Sequence, residues 1–225
     1  EPYPPFTQIA ADGSISGFEY DIGNALCAEM KVKCEWVLQS WDGIIPALLE
    51  NKFDAIIASM SITEERKKVV DFSGKYYDSP AMFVGRKDQT IDISPEGMKG
   101  KTVAVQVSTI HANYVEAKFK GVVTIKTYDT QENANLDLIA GRVDLVMADS
   151  IALEDGLLKT PDGADFEVKG KPFTDPLLGD GVGVAVRQAD TALRDKFSAA
   201  IKAIRENGTY KKINDKYFSF DIYGG

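Results

Sequence analysis

One segment of the sequence recurs at an offset of 90 residues, and this weak repeat constrains the fold more than any other feature. Residues 48–59, LLENKFDAIIAS, resemble residues 138–149, LIAGRVDLVMAD, in a leucine, an aspartate and the alanine before a final polar residue. Each copy has the pattern of a helix, a basic turn and a buried strand. Two such units in two lobes would place Ser59 and Asp149 at one cleft, although any two helix–turn–strand units share much of this pattern.

Helix-like and strand-like segments alternate along the chain, which predicts an α/β architecture with largely parallel sheets. Short apolar runs predict strands at Ala55–Ala58, Thr102–Val105, Val122–Ile125, Leu145–Ala148 and Val182–Val186, with a further β-like run over Cys34–Leu38. Longer amphipathic segments predict helices at Asp21–Met30, Trp41–Glu50, Glu132–Ala140 and Thr191–Glu206.

Length and composition exclude several classes of protein. A chain of 225 residues fits one large domain or two small lobes, and it has no run of 18 apolar residues that would span a membrane. The net charge of -8 argues against nucleic acid as a partner. There is no glycine-rich phosphate loop, no Gly-x-Ser-x-Gly and no metal-ligand cluster in the sequence. We therefore predict a protein that is not an enzyme and that needs neither a metal nor a cofactor.

The two cysteines, Cys27 and Cys34, lie seven residues apart. Cys27 falls near the end of a predicted helix and Cys34 begins the β-like run, so the chain can fold back and bring the two Cα atoms within disulfide range. Two buried thiols in a cytosolic protein are the alternative. We predict the disulfide, and with it an oxidising compartment.

The segment from Ser59 to Arg66 carries the strongest local signal. Two hydroxyl groups follow a predicted buried strand, Thr63 is a suitable N-cap, and Arg66 is then expected one turn into a helix. A guanidinium beside free backbone N–H groups can bind a carboxylate through two hydrogen bonds, and Ser61 can reach the same ligand. The alternative is an ordinary capped helix with a surface arginine.

A similar pattern follows the strand that is predicted to end at Val105. A polar turn leads into a helix, and the main-chain N–H groups of Thr109 or Ile110 can reach the second oxygen of a carboxylate. An ammonium group needs acceptors, and Asp149 supplies a charged one. His111 is the single histidine and has no obvious nucleophile beside it, a pattern that is usually without special function.

Two aromatic residues are ambiguous. Trp41 can stack on an aliphatic or guanidinium group and attract a cation, but an ordinary core tryptophan has the same local sequence. Tyr3, between prolines, can equally be a structural or a ligand-binding residue.

Taken together, these segments resemble the periplasmic polar-amino-acid-binding proteins of ABC importers, and within them the lysine/arginine/ornithine/histidine branch. The resemblance extends over nearly the whole chain, and the order and spacing of its motifs make it specific. It rests on the cysteine pair and on the segments Tyr3–Phe6, Gly17–Ile22, Trp41–Pro46, Ser61–Arg66, Ala140–Asp144, Gly179–Gly183, Asn207–Tyr210 and Phe220–Gly224.

The resemblance implies an α/β fold of the bilobal periplasmic binding protein type (type II). One lobe would comprise residues 1–79 and 180–225 and the other residues 80–179, joined by two crossing strands near 78–80 and 174–179. It implies a periplasmic monomer, its signal peptide removed, that captures an L-amino acid between the lobes and delivers it to the membrane subunits of an ABC importer. The branch favours a cationic ligand, namely arginine, lysine, ornithine or histidine.

The resemblance also assigns roles to residues at the matching positions. Arg66, Ser61 and the Ile110 backbone would bind the α-carboxylate of the ligand, and the Ser59 main chain, Ser61 and Asp149 would bind its α-ammonium. Trp41 and Tyr3 would enclose the ligand side chain, with Glu19 and His111 further out. The complete predicted ligand-binding set is Tyr3, Glu19, Trp41, Ser59, Met60, Ser61, Arg66, Thr109, Ile110, His111 and Asp149.

Two other functions stay open at this point. One is an enzyme on the same fold, similar to a cyclohexadienyl dehydratase, which would need a general acid over a ring substrate. The other is the ligand-binding region of a larger signalling receptor. Because the given sequence has no appended domain after Tyr223, we expect a free receptor rather than part of a larger one.

Overall fold

The chain divides, in a computed structural model that describes residues 1–224, into two units. Unit 1 contains Glu1–Asp78 and the chain from Gly179 onward, and unit 2 contains Ser79–Leu178. The strands are β1 (Gln8–Ile9), β2 (Ile15–Ser16), β3 (Val70–Tyr77), β4 (Ala81–Arg86), β5 (Thr102–Gln106), β6 (Thr124–Tyr128), β7 (Leu145–Asp149), β8 (Phe166–Phe173) and β9 (Val182–Arg187). The helices are α1 (Phe18–Glu29), α2 (Ile44–Leu49), α3 (Ile110–Phe119), α4 (Gln131–Ile139), α5 (Ser150–Leu153), α6 (Thr191–Glu206) and α7 (Thr209–Tyr217).

Unit 1 is built on an antiparallel ladder of β3 and β9, with α6 packed against β3. Aromatic side chains from four segments form much of its core. The Phe6 ring stacks on the Tyr77 ring with their centroids 4.7 Å apart, and Phe18 meets Phe218 edge to face at 5.2 Å. Because these rings come from the N-terminal segment, α1, β3 and the C-terminal segment, they tie distant parts of the chain together.

Unit 2 contains a five-stranded sheet in the order β6-β5-β7-β4-β8. The ladders between β5 and its neighbours β6 and β7 are parallel, whereas β4 pairs antiparallel with both β7 and β8. Parallel neighbours need a crossover, and α3 and α4 supply it between β5, β6 and β7. The expectation of largely parallel sheets is therefore wrong for β4 and β8 and for both ladders of unit 1.

The two copies of the sequence repeat end their helices in the same way. In α2 the residue after the C-cap, Asn51, has φ 60, and in α4 the equivalent Gly141 has φ 71. The next N–H reaches back five residues in each copy, from Lys52 to the Ala47 carbonyl at 3.0 Å and from Arg142 to the Asp137 carbonyl at 2.9 Å. This is a Schellman C-cap, and it turns the chain into the following strand-like segment.

The β-like run over Cys34–Leu38 does not form a strand. Side chains hold this extended segment against α1 in place of a ladder: the Trp36 indole N–H donates to the Asn24 side chain at 3.1 Å. The predicted disulfide is confirmed, with the Cα atoms of Cys27 and Cys34 6.1 Å apart. The segment is therefore anchored covalently to the end of the helix.

Other predicted bounds differ from those observed. Ala55–Ala58 makes a single bridge, from Ile56 to Ala185, rather than a strand, and the strand expected at Val122–Ile125 begins at Thr124. The structure also contains β3, β4, β8 and α7, which the sequence patterns did not predict. Within residues 1–224, every helix is too short or too polar to span a lipid bilayer.

Candidate functional site

The segment from Ile56 to Ile62 in unit 1 runs beside β9 and carries three of the predicted residues. The Ile56 N–H donates to the Ala185 carbonyl, and the Ile62 N–H donates to the Gly181 carbonyl, both at 2.8 Å. The side chain of Met60 lies in the apolar core, so a ligand would meet only its main chain. Ser59 and Ser61 are therefore placed by a backbone that is fixed on both sides.

The chain segment that precedes β9 passes so close to Ile62 that it requires glycine at position 179. At Gly179, which has φ 87, a Cβ atom would lie 2.5 Å from the Ile62 carbonyl oxygen, a distance that real contacts do not show. Residues with a side chain are also strained at this φ. Gly179, where the chain re-enters unit 1, thus allows the backbone to lie directly against Ile62.

Contacts within unit 1 restrain the Arg66 side chain. Its Nη1 donates to the Ser61 carbonyl at 2.9 Å, and its guanidinium carbon lies 5.3 Å from the centroid of the Trp41 ring. The helix expected after Thr63 is only a three-residue 3₁₀ turn, Arg66–Lys68, because β3 begins at Val70. The N-cap of this turn is Glu65 rather than the predicted Thr63, although the Thr63 hydroxyl accepts from the Arg66 N–H at 3.2 Å.

Trp41 and Tyr3 are placed by contacts of the N-terminal segment. Trp41 opens a 3₁₀ turn that leads into α2, and its N–H donates to the Glu1 carboxylate at 3.1 Å. The Tyr3 ring stacks on Phe6 with centroids 5.8 Å apart, and Tyr3 exchanges backbone hydrogen bonds with Thr7. Both rings are partly exposed, as a ligand-contacting aromatic residue must be.

Glu19, in the first turn of α1, is 1% exposed and is surrounded by hydrogen-bond donors. Its Oε1 accepts from the Ser59 N–H at 2.6 Å and from the Tyr76 hydroxyl, and its Oε2 accepts from the Ser59 hydroxyl at 3.1 Å and the Thr7 hydroxyl at 3.4 Å. Burial raises the pKa of Glu19, and the hydrogen bonds from these donors oppose that shift.

The predicted turn of unit 2 leaves the end of β5 and enters α3. Ser108 has φ 59, a left-handed conformation that redirects the chain. Thr109 is the N-cap of α3: its hydroxyl accepts from the Ala112 N–H at 3.1 Å and donates to the Gln106 carbonyl at 2.7 Å. The N–H groups at the start of a helix have no intrahelical partner, and the helix dipole favours negative charge there.

Asp149 ends β7, the parallel neighbour of β5, so the two strands bring their carboxyl ends to one edge of the sheet. His111, in the first turn of α3, reaches the same place, with its Nε2 3.7 Å from the Asp149 Oδ1. Both residues are buried, at 5% and 8% exposure. A carboxylate and an imidazole are thus brought together beside the N-terminus of a helix.

The predicted residues are divided between the two units. Unit 1 holds Tyr3, Glu19, Trp41, Ser59, Met60, Ser61 and Arg66, and unit 2 holds Thr109, Ile110, His111 and Asp149. Thr7 and Tyr76, which bind Glu19, were not predicted, and no motif in their local sequence singles them out. Among residues 1–224, no three His, Cys, Asp or Glu side chains are grouped to hold a metal ion.

Comparison with known proteins gives a consistent result along the whole chain. A model of the family described as bacterial extracellular solute-binding proteins, family 3, matches residues 1–220. The L-arginine-binding protein of Pseudomonas aeruginosa is 50% identical over 224 residues, which cover 99% of this chain and 86% of that protein. The lysine/arginine/ornithine-binding periplasmic protein of Escherichia coli is 38% identical with the same coverage, 99% and 86%.

Solved structures agree with these relatives. An ancestral arginine-binding protein bound to arginine matches with a TM-score of 0.89 and 36% identity, over 96% of this chain and 94% of that one. An ancestral amino acid-binding protein that is a precursor of cyclohexadienyl dehydratase matches with a TM-score of 0.82 and 32% identity, over 97% and 92%. The chain has the mixed α/β periplasmic binding protein fold.

Proposed function

The chain belongs to the bacterial extracellular solute-binding proteins, family 3, and from that membership we propose that it is a receptor for a free L-amino acid with a cationic side chain. It works outside the cytoplasm as a monomer and delivers its ligand to the membrane subunits of an ABC importer. Residues of both units contribute contacts to one ligand molecule. Arginine is the first candidate ligand.

The observation that carries this proposal is the fixed position of Arg66. One guanidinium nitrogen is bound to the Ser61 carbonyl, and the guanidinium carbon lies 5.3 Å from the centroid of the Trp41 ring. A guanidinium offers several N–H donors in a planar fork, which matches the geometry of a carboxylate. Because these contacts within unit 1 restrain the Arg66 side chain, it loses little entropy on binding a ligand, which favours affinity.

The group in unit 2 has the complementary chemistry. The backbone N–H groups at the start of α3 favour the carboxylate of an amino acid, and the Asp149 carboxylate favours its ammonium. An amino acid carries both charges on neighbouring atoms, so a ligand of this class satisfies both groups. Ligands with only one of these charges would leave one group without its counterion.

The preference for a cationic side chain rests on three supports. Two relatives of this chain are named for binding arginine, or lysine, arginine and ornithine. In addition, Trp41 and Tyr3 present aromatic rings, whose faces attract cations. The net charge of -8 acts in the same direction at long range.

Calorimetric titration of ligand-free protein tests the proposal. We expect binding of L-arginine, and we expect Arg66→Ala to weaken it by roughly 2–5 kcal/mol because a charged partner of the carboxylate is lost. Lys67→Ala, which removes an exposed cation from the same turn, is the matched control and should bind like the wild type. Unchanged affinity in Arg66→Ala would refute the role of Arg66. Tighter binding of glutamate than of arginine would refute the cationic preference.

We propose that the receptor performs no reaction on its ligand. The most buried acid of unit 1, Glu19, is 1% exposed and is bound by four donors within the unit, so a substrate cannot reach its carboxyl group. Mass spectrometry of arginine and of a cyclohexadienyl substrate such as prephenate after long incubation should recover both unchanged. Conversion of either compound in proportion to enzyme concentration would favour the dehydratase-like alternative instead.

A further inference from the structure

We propose that Glu19 is a positioning residue of the amino-acid site: its buried carboxylate clamps Ser59 and thereby sets the direction of the Ser59 main chain. This inference rests on the proposed function for its consequence for binding. It gives Glu19 a role different from the one that the family resemblance implies, in which Glu19 is a ligand-binding residue further out than Trp41 and Tyr3.

The Glu19 carboxylate binds two groups of Ser59, its backbone N–H and its side-chain hydroxyl. Glu19 Oε1 accepts from the Ser59 N–H at 2.6 Å, and Oε2 accepts from the Ser59 hydroxyl at 3.1 Å. Holding a backbone N–H and a side-chain oxygen of the same residue together restricts both its φ angle and its χ1 angle. Ser59 has φ 52, a left-handed conformation that non-glycine residues seldom adopt and that surrounding contacts must stabilise.

The chain beyond Ser59 is fixed as well. The Met60 carbonyl accepts from the Gly183 N–H at 3.2 Å, and the Ile62 N–H donates to the Gly181 carbonyl at 2.8 Å. The Ser59 carbonyl therefore lies between one anchor at Glu19 and a second anchor on β9. Loss of the first anchor frees the peptide groups on either side of Ser59 to rotate.

The capacity of the Glu19 carboxylate argues against a direct ligand contact. A carboxylate has two oxygens with about four lone-pair positions in total. Four donors already approach it: the Ser59 N–H and hydroxyl, the Tyr76 hydroxyl and the Thr7 hydroxyl. With all acceptor positions in use and the residue 1% exposed, no position remains for the guanidinium or ammonium of a ligand.

The two roles make different predictions for substitutions. Glu19→Gln keeps the shape of the side chain and a carbonyl acceptor for the clamp but removes the charge. Glu19→Ala removes the clamp entirely. A direct ionic contact predicts that Glu19→Gln loses affinity for arginine but not for citrulline, its neutral analogue. A positioning role predicts that Glu19→Ala weakens both ligands by the same factor.

The test combines titration calorimetry with hydrogen exchange of the ligand-free protein. We expect about tenfold weaker binding of arginine and of citrulline in Glu19→Ala, an unchanged ratio between the two ligands in Glu19→Gln, and wild-type behaviour in Glu29→Ala at the exposed end of α1. The exchange of the Ser59 amide should become faster in Glu19→Ala and stay slow in Glu29→Ala. If Glu19→Ala does not fold, Glu19→Asp replaces it, since its shorter side chain cannot reach Ser59.

Two results would overturn the proposal. One is a selective loss of arginine binding in Glu19→Gln with citrulline unaffected, and the other is slow exchange of the Ser59 amide after the clamp is removed. The exchange measurement needs no ligand. Wild-type protein that binds no amino acid would therefore refute the proposed function, while the exchange rates would still decide whether Glu19 clamps Ser59.

Discussion

At Glu19, burial and hydrogen bonding act in opposite directions on one carboxyl group. Burial raises the pKa, and hydrogen bonds from Tyr76, Ser59 and Thr7 lower it, with burial the larger effect. The neighbouring Tyr76 stays neutral at moderate pH because burial, and next the charge of Glu19, raise its pKa well above 10.0. Folding therefore disfavours the charged form of Glu19, although the clamp on Ser59 uses the same oxygens.

This balance predicts a dependence of stability on pH. Because the pKa in the folded state lies above the ordinary value of 4.5, the contribution of Glu19 to the free energy of unfolding is complete below pH 4.5. It decreases as the pH rises through the raised folded-state pKa. Ser59 and Thr7, the other partners of the carboxyl group, do not titrate in this range.

The measurement compares the wild type with Glu19→Gln by urea denaturation at a series of pH values between 4 and 8. We expect the difference in the free energy of unfolding, wild type minus variant, to be most favourable at the acid end and to fall as the pH rises. Other carboxyl groups titrate in both proteins and cancel from this difference. A difference that stays constant with pH would contradict the raised pKa of Glu19.

Elements whose signal is local could be predicted from the sequence. The bounds of α6, Thr191–Glu206, agree with its prediction because an apolar stripe at helical spacing is carried by the helix itself. The strand β3 was missed, since Gly74 and several polar residues interrupt its pattern and its stability depends on the ladder with β9. The run Cys34–Leu38 is the opposite case. Its residues have a strand-like pattern, but no strand within residues 1–224 pairs with it, so it does not form a strand.

The same distinction applies to the candidate site. The segment containing Ser61 and Arg66 was recognisable because the cap, the hydroxyls and the guanidinium lie within a few residues of one another. The clamp on Ser59 was not recognisable. Ser59 is 40 residues from Glu19 in the sequence, and the further donors Thr7 and Tyr76 are 12 and 57 residues away. Only the packing of α1 against the rest of unit 1 brings these residues together.

The disulfide between Cys27 and Cys34 leads to a prediction about the stability of the fold. It links the end of α1 to the extended segment after it, closing a loop with a sequence separation of 7. We expect the double variant Cys27→Ser, Cys34→Ser to lose about 2 kcal/mol of unfolding free energy, mainly because its unfolded chain is less restricted. Urea denaturation measures this loss, and treatment of the wild type with a reductant is the control that should reproduce it.

A thiol titration provides an independent check of the disulfide. The unreduced, denatured wild-type protein should show close to zero free thiols per chain. Two reactive thiols would contradict the disulfide and, with it, the argument for an oxidising compartment. Equal stability of the oxidised protein and the double variant would instead mean that the bridge contributes nothing to the fold.

At the scale of the whole molecule, the proposed ligand-binding residues are divided between the two units, and this division leads to a prediction about the mechanism. Unit 1 carries Arg66 with Ser61 and Trp41, and unit 2 carries Asp149 with His111. If one amino acid needs both groups, neither unit binds it tightly alone. A ligand that interacts with both units in one arrangement shifts the population toward that arrangement.

We therefore expect the ligand to favour a more closed molecule, because only then do its carboxylate and its ammonium both find partners. Solution scattering should give a smaller radius of gyration with saturating arginine than without it.

Asp149→Asn, in the unit that lacks Arg66, should weaken arginine binding by roughly 2–5 kcal/mol because the ammonium loses its charged partner. Asp155→Asn, on the same unit but at an exposed ion pair with Lys159, should bind and compact like the wild type. Wild-type affinity in Asp149→Asn would exclude Asp149 from the site, whereas tight binding without any compaction would refute closure and leave the receptor function standing.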